Sequence, residues 1–217
     1  MTQIAIAPSM TEYFEGVVDD AVRSRRVEIS TAVRGYLVGM LCDFAHPDEA
    51  VGSTMDQPLT FQLRDALDAV GAERFLRLRR LGDGVLYVAG FFGGHIELRG
   101  VDRAYVLGVG STAYGQAASM LRLGGNGAVG FAAMARERER GRRVVAAPDV
   151  LGELSSKFDR VADVLADVAE GTLALGAYDD RTVLKLYDRW LKTGSSRLAG
   201  ELAQRGLLPS KGARGTN

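Results

Sequence analysis

The chain has little of the residues that bind metals, form disulfides or attract polyanions. One cysteine and two histidines are present among 217 residues, so no disulfide can form within the chain. His46 and His95 are far apart, and neither has a neighbour at a zinc- or haem-ligand spacing. Cys42 lies in an apolar stretch without the signature of a cysteine nucleophile, and pairing it with His95 has no local support. We therefore expect no metal and no cofactor.

The charges give no overall attraction for a polyanion, since 27 basic residues balance 27 acidic ones. The densest basic cluster is Arg74, Arg77, Arg79 and Arg80, but Glu73 dilutes it and no free aromatic residue is interleaved. Such a cluster is typical of a solvated helix face, and nucleic-acid binding usually needs a stronger local field. We expect no nucleic acid among the partners.

Signals for export or membrane insertion are also weak. Residues 1–8 carry no basic segment of the kind that begins a secretory signal, and the lone thiol fits a reducing compartment. Residues 104–121 are uncharged and nearly long enough to cross a bilayer. They contain so many small and polar residues that we expect a buried central helix instead. The sequence thus predicts a cytoplasmic protein without membrane contact.

Apolar residues recur every three or four positions along most of the chain, which is the period of amphipathic helices. Hydrophobic residues make up 47% and charged residues 25% of the sequence, as in ordinary folded proteins. We predict an all-α, compact multi-helix bundle of about seven or eight helices. It forms a single domain over residues 9–208, between flexible termini at 1–8 and 209–217, and the glycine-rich residues 123–133 form a flexible connection.

Capping residues predict where several helices begin. Ser9 and Glu12 form an S-x-x-E capping box, and Ser30 or Thr31 can cap a second helix. Pro58 suits the first turn of a third helix, which Gly71 would end. Residues 85–88 and 104–107 could be short buried strands or helical turns. We favour helices because neither run alternates with polar residues, and because Asp102 can cap the second.

Small residues at Ala104, Gly108, Gly115 and Ala118 would then form one stripe and allow close packing of a central helix pair. The same segment, Gly108 to Gly115, partly matches a dinucleotide-binding turn. Its third glycine comes one position late, and no strand ending in an acidic residue follows. Nucleotide binding is therefore the weakest of three functional hypotheses.

Two further patterns carry the other hypotheses. An a/d spacing sustained over nearly three heptads predicts a helix–helix seam, either inside the chain or between two copies. The leading hypothesis is a non-catalytic protein that acts through protein–protein contacts, with itself as a homodimer or with another protein. An aromatic group in the middle third would suit an apolar small-molecule pocket, and a small-molecule sensor is the alternative. The seam residues are Leu151, Leu154, Phe158, Val161, Leu165 and Val168, and the pocket residues are Tyr87, Phe91, Phe92, Tyr105 and Tyr114.

Overall fold

The prediction of an all-α fold is confirmed. A computed structural model describes residues 9–45, 57–93, 100–123, 148–175, 187, 190–191 and 196–204, and these residues contain eight helices and no strand. Residues 1–8, 124–143 and 209–217 lie outside this set, as do His46 and His95. The helices are α1 Met10–Arg25, α2 Thr31–Ala45, α3 Leu59–Asp68, α4 Gly71–Phe91, α5 Arg103–Leu123, α6 Pro148–Ser156, α7 Phe158–Leu175 and α8 Ser196–Gln204.

The chain divides into two compact units, Met1–Ala166 and Asp167–Asn217, and the boundary falls within α7. The first unit contains α1 to α6 and the start of α7. In the second unit Trp190, Leu198 and Leu202 form a small apolar core. A compact unit is not by itself an independently folding domain, so a single domain over 9–208 stays a prediction.

The local capping signals begin helices where the sequence predicts them. The Ser9 hydroxyl accepts a hydrogen bond of 3.2 Å from the Glu12 amide, and the Glu12 carboxylate accepts one of 2.8 Å from the Ser9 amide. At α2 the Ser30 hydroxyl accepts from the Val33 amide at 3.2 Å. The Asp102 carboxylate accepts from the Ala104 amide at 2.8 Å, at the start of α5. Each bond satisfies an amide that the first helical turn leaves without a partner.

Residues 57–93 differ from the prediction in two ways. Helix α3 ends at Asp68, and Gly71, with φ +56°, is the first residue of α4 instead of the end of α3. Val70 lies between the two helices and is 81% exposed. Residues 85–88 are helical, because α4 continues without a break over 21 residues.

Helix α5 packs against α3, α4 and α6 in the first unit. Glycine allows the close approach on the α4 side, since a Cβ on Gly82 would overlap the ring of Tyr114. On the α6 side the hydroxyls of Ser111 and Ser155 each donate to the other residue's backbone carbonyl, at 2.9 and 2.8 Å. Among the described residues, no helix is both long and apolar enough to span a membrane.

Helix α6 also holds the start of α2. The Glu153 carboxylate accepts a hydrogen bond of 2.9 Å from the Ser30 amide, and the Lys157 ammonium donates to the Glu28 carbonyl at 2.6 Å. Lys157 separates α6 from α7, so the single helix predicted here is divided at that residue. In a capping box the residue at the third helical position accepts from the cap amide. Val33 occupies that position in α2 and cannot do so, and Glu153 takes its place.

Candidate functional site

The six residues of the predicted seam lie in the interior. Their side chains are at most 2% exposed. Within the first unit, Phe158 packs against Tyr114 with ring centroids 5.7 Å apart, and Leu165 lies against Gly90. Of the two interpretations of the seam, this burial supports packing inside the chain, because a contact between folded copies needs exposed side chains.

The segment Gly108 to Gly115 lies in the middle of α5. A phosphate-binding turn presents free backbone amides at the junction of a strand and a helix. In a helix interior those amides are bonded to carbonyls one turn earlier. The segment therefore lacks the backbone geometry of a nucleotide cradle. Gly110 lies against Phe158 and Gly115 against Ser155, so small residues do allow close packing here. The predicted stripe is wrong at Ala104 and Gly108, which are exposed.

The five aromatic residues of the predicted pocket fall into three places. Tyr87, Phe91 and Phe92 come together near the end of α4, where Phe44 of α2 joins them. The rings of Phe44 and Tyr87 stack with centroids 4.5 Å apart, and those of Tyr87 and Phe91 at 4.6 Å. Partial burial raises the pKa of the Tyr87 hydroxyl. Tyr114 and Tyr105 lie elsewhere and have different partners.

Tyr114 belongs to a buried polar cluster, which we call the Asp83 cluster: Tyr36, Arg79, Asp83 and Tyr114. Both tyrosine hydroxyls donate to Oδ1 of Asp83, at 2.6 Å from Tyr36 and 2.7 Å from Tyr114. Nε of Arg79 donates to the Tyr36 hydroxyl at 3.0 Å and lies 3.5 Å from Oδ2 of Asp83. Burial, followed by the nearby Asp83 carboxylate, raises the pKa of both phenols well above its ordinary value. The hydroxyls are therefore held in their neutral, hydrogen-bond-donating form.

The prediction that the basic cluster around Arg77 is a solvated helix face is wrong at Arg79. Arg79 is buried in the Asp83 cluster, and Arg77 pairs with Glu73 at 2.9 Å. Beside that pair a shallow hollow of about 450 Å³ lies at the junction of α3 and α4. In the described part of the chain, no group of three or more histidine, cysteine, aspartate or glutamate residues could hold a metal ion. The hollow is lined by Asp65, Asp68, Ala69, Val70, Glu73 and Arg77.

Tyr105 lies at the surface, where α5 meets α3. Its hydroxyl is 2.6 Å from the hydroxyl of Thr60, and its side chain is 41% exposed. Next to Thr60, the ring of Phe61 is 51% exposed and lies under the Arg64 guanidinium, whose carbon is 5.2 Å from the ring centroid. We call Phe61, Arg64 and Tyr105 the α3–α5 surface. Aromatic residues and arginine are the types most enriched where proteins contact one another.

The sequence analysis named Tyr105 but missed Phe61. Leu59 and Ala66 define the buried face of α3, and Phe61 is out of phase with both at 3.6 residues per turn. A large aromatic residue on the polar face of an otherwise amphipathic helix was the signal that could have found it.

No protein-family model, curated protein or solved structure matches this chain.

Proposed function

We propose that this is a non-catalytic cytoplasmic protein that acts through protein–protein contacts, with the α3–α5 surface as its contact face and a second copy of the chain as its first partner. The observation that carries the proposal is the exposure of Phe61, whose ring is half accessible to water under a guanidinium. Complete burial of a phenylalanine side chain is favourable by about 1.5–3 kcal/mol, so burying the exposed half of Phe61 against a partner contributes about half of that.

The neighbouring contacts support this assignment. The hydrogen bond between Thr60 and Tyr105 joins α3 to α5, so the aromatic side chains stand on packed helices. Arg64 also pairs with Asp65 at 3.0 Å, which restrains its guanidinium. Side chains that are already ordered lose less conformational entropy when a partner binds. The seam at Leu151 to Val168 does not serve as the contact face in this proposal, because its side chains are buried.

The test compares Phe61→Glu with a matched control, Met10→Glu. Met10 is 43% exposed in the first turn of α1, where a glutamate is favourable for the helix. Size-exclusion chromatography with light scattering at high micromolar concentration should give a dimer for the wild type and for Met10→Glu. Phe61→Glu should elute as a monomer with unchanged circular dichroism.

Two results would count against the proposal. A wild-type protein that stays monomeric over the whole range rejects self-association. Wild type and Phe61→Glu can then each be used in a pull-down from lysate. If both bind the same proteins in equal amounts, the α3–α5 surface is not a contact face at all.

A second candidate, a small-molecule sensor, is favoured by the stack of Phe44, Tyr87 and Phe91. A planar apolar ligand could extend such a stack, because offset aromatic faces attract one another by about 0.5–1.5 kcal/mol beyond burial. Native mass spectrometry of the purified protein should then detect a retained ligand. The Tyr87→Leu variant should no longer retain the ligand, whereas the Tyr105→Leu variant should retain it. A wild-type protein without any bound mass would reject this candidate.

A further inference from the structure

The Asp83 cluster joins three helices through a single carboxylate. Tyr36 belongs to α2, Arg79 and Asp83 to α4, and Tyr114 to α5. Arg79 and Asp83 are only 4% and 9% exposed, and Tyr114 is fully buried. The cluster is therefore part of the core of the first unit, and neither the proposed contact face nor the aromatic stack uses it.

A buried ion pair of this kind seldom adds net stability over apolar residues of the same shape, because both charges must leave water. Both hydroxyl contacts to Asp83 are shorter than the 3.5 Å between Nε of Arg79 and Oδ2 of the same carboxylate. The hydroxyl bonds are directional, and they form only when all three helices are in place.

Such bonds can select the register of the helices, which is the position of each helix along its neighbours. Sliding α5 by one turn would move Tyr114 about 5.4 Å along α4, which breaks its bond to Asp83 and leaves a buried carboxylate short of a donor. The Tyr114 ring lies against Gly82, where any side chain would overlap it. A core held only by apolar contacts can lose its unique packing before it loses stability. We propose that the Asp83 cluster is a conformational device that selects one register of α2, α4 and α5.

The experiment replaces the whole cluster by apolar residues: Tyr36→Phe, Arg79→Met, Asp83→Leu and Tyr114→Phe together. This variant should stay helical by circular dichroism, with a denaturation midpoint equal to or above that of the single variant Asp83→Asn. It should lose the dispersion of its methyl NMR signals and bind a hydrophobic dye, as a core without unique packing does. The control is Ser111→Ala with Ser155→Ala, which removes half-buried hydroxyls from α5 and α6 and should keep a dispersed spectrum.

A four-residue variant with dispersed methyl signals, cooperative unfolding and no dye binding would overturn the proposal, because one register would then persist without the cluster. Loss of all helical signal would also overturn it, since the cluster would then be needed for folding itself. Asp83→Asn provides a second measurement. It neutralises Asp83 while Arg79 stays charged in the core, and it should lower the denaturation midpoint more than the four changes together. The opposite order would contradict selection of register.

Discussion

Helix α5 meets α4 and α6 in contrasting ways. Towards α4, the large ring of Tyr114 fills the space left by Gly82 and its hydroxyl reaches the buried Asp83. Towards α6, Ser111 and Ser155 approach closely and exchange hydrogen bonds through short side chains. The first contact depends on one shape and one charge, whereas the second depends on small size. We therefore expect substitutions on the α4 side to cost more than those on the α6 side.

The strongest test of this contrast is Gly82→Ala. The added methyl would overlap the Tyr114 ring, and overpacking of a core costs about 1–3 kcal/mol, outweighing the better helix propensity of alanine. We expect a net loss of about 2 kcal/mol in the free energy of unfolding, measured by denaturant unfolding. The control is Gly108→Ala on α5, where nothing lies within 4 Å of the new methyl and stability should rise by about 0.5–1 kcal/mol. Equal effects of the two changes on stability would mean that the packing of the Tyr114 ring does not require glycine at position 82.

The second prediction isolates the charge. Tyr114→Phe removes one of the two hydroxyls that donate to Asp83, and a hydrogen bond to a charged group contributes about 1.5–3 kcal/mol. We expect a loss of about 2 kcal/mol in the free energy of unfolding. Tyr105→Phe removes an exposed hydroxyl from the same helix and should cost under about 0.5 kcal/mol. If the two substitutions lowered stability equally, the hydrogen bond to the buried Asp83 carboxylate would not make the α4 side more sensitive.

The third prediction concerns the contact of α6 with α2. Burial alone would raise the pKa of Glu153, but hydrogen bonds from Ser30 and Lys157 outweigh it and lower that pKa. Because the pKa of Glu153 is lower in the folded than in the unfolded state, its ionised carboxylate stabilises the fold above the ordinary glutamate pKa. This stabilisation is lost as the pH falls through the folded pKa. Glu153→Gln should cost about 1 kcal/mol at neutral pH, the usual value of a helix cap. When the melting temperature is plotted against pH in the acidic range, it should fall less steeply for this variant than for the wild type. Equal slopes would show that Glu153 does not cause the loss of stability in acid.

The smallest effects are expected between α5 and α6. Ser111→Ala and Ser155→Ala should each cost about 0.5–1 kcal/mol, the net contribution of a neutral hydrogen bond. Ser111→Ala should be the larger of the two, because its hydroxyl bonds the Ser155 carbonyl in the last turn of α6, where carbonyls lack partners within the helix. Denaturant titrations of both variants would check the order. Losses above those of Tyr114→Phe would reverse the comparison of the two sides.

Local signals were enough to predict much of the fold. The starts of α1, α2 and α5 depend on residues two or three positions apart, and such pairs can be read directly from the sequence. The Asp83 cluster has no such signal. Tyr114 and Tyr36 are separated from Asp83 by 31 and 47 positions, and only the packing of three helices brings them together.

The predicted aromatic pocket failed to form one site for a similar reason. The prediction grouped these residues because they are close in the sequence. Which side chains come into contact depends instead on the side of the helix that each residue occupies. Tyr105 and Tyr114 are about two and a half turns apart on α5, so they lie on opposite sides of it. One is exposed beside α3 and the other is buried against α4.

The carboxylate of Glu153 also affects the order in which the chain can fold. It accepts from an amide 123 positions earlier, so the first turn of α2 acquires this bond only after most of the first unit has been synthesised. Contacts this distant raise the contact order and slow folding, because a long loop must close before the bond can form. During translation, α1 and α2 would leave the ribosome with this helix end still solvated, and its completion would accompany the arrival of α6.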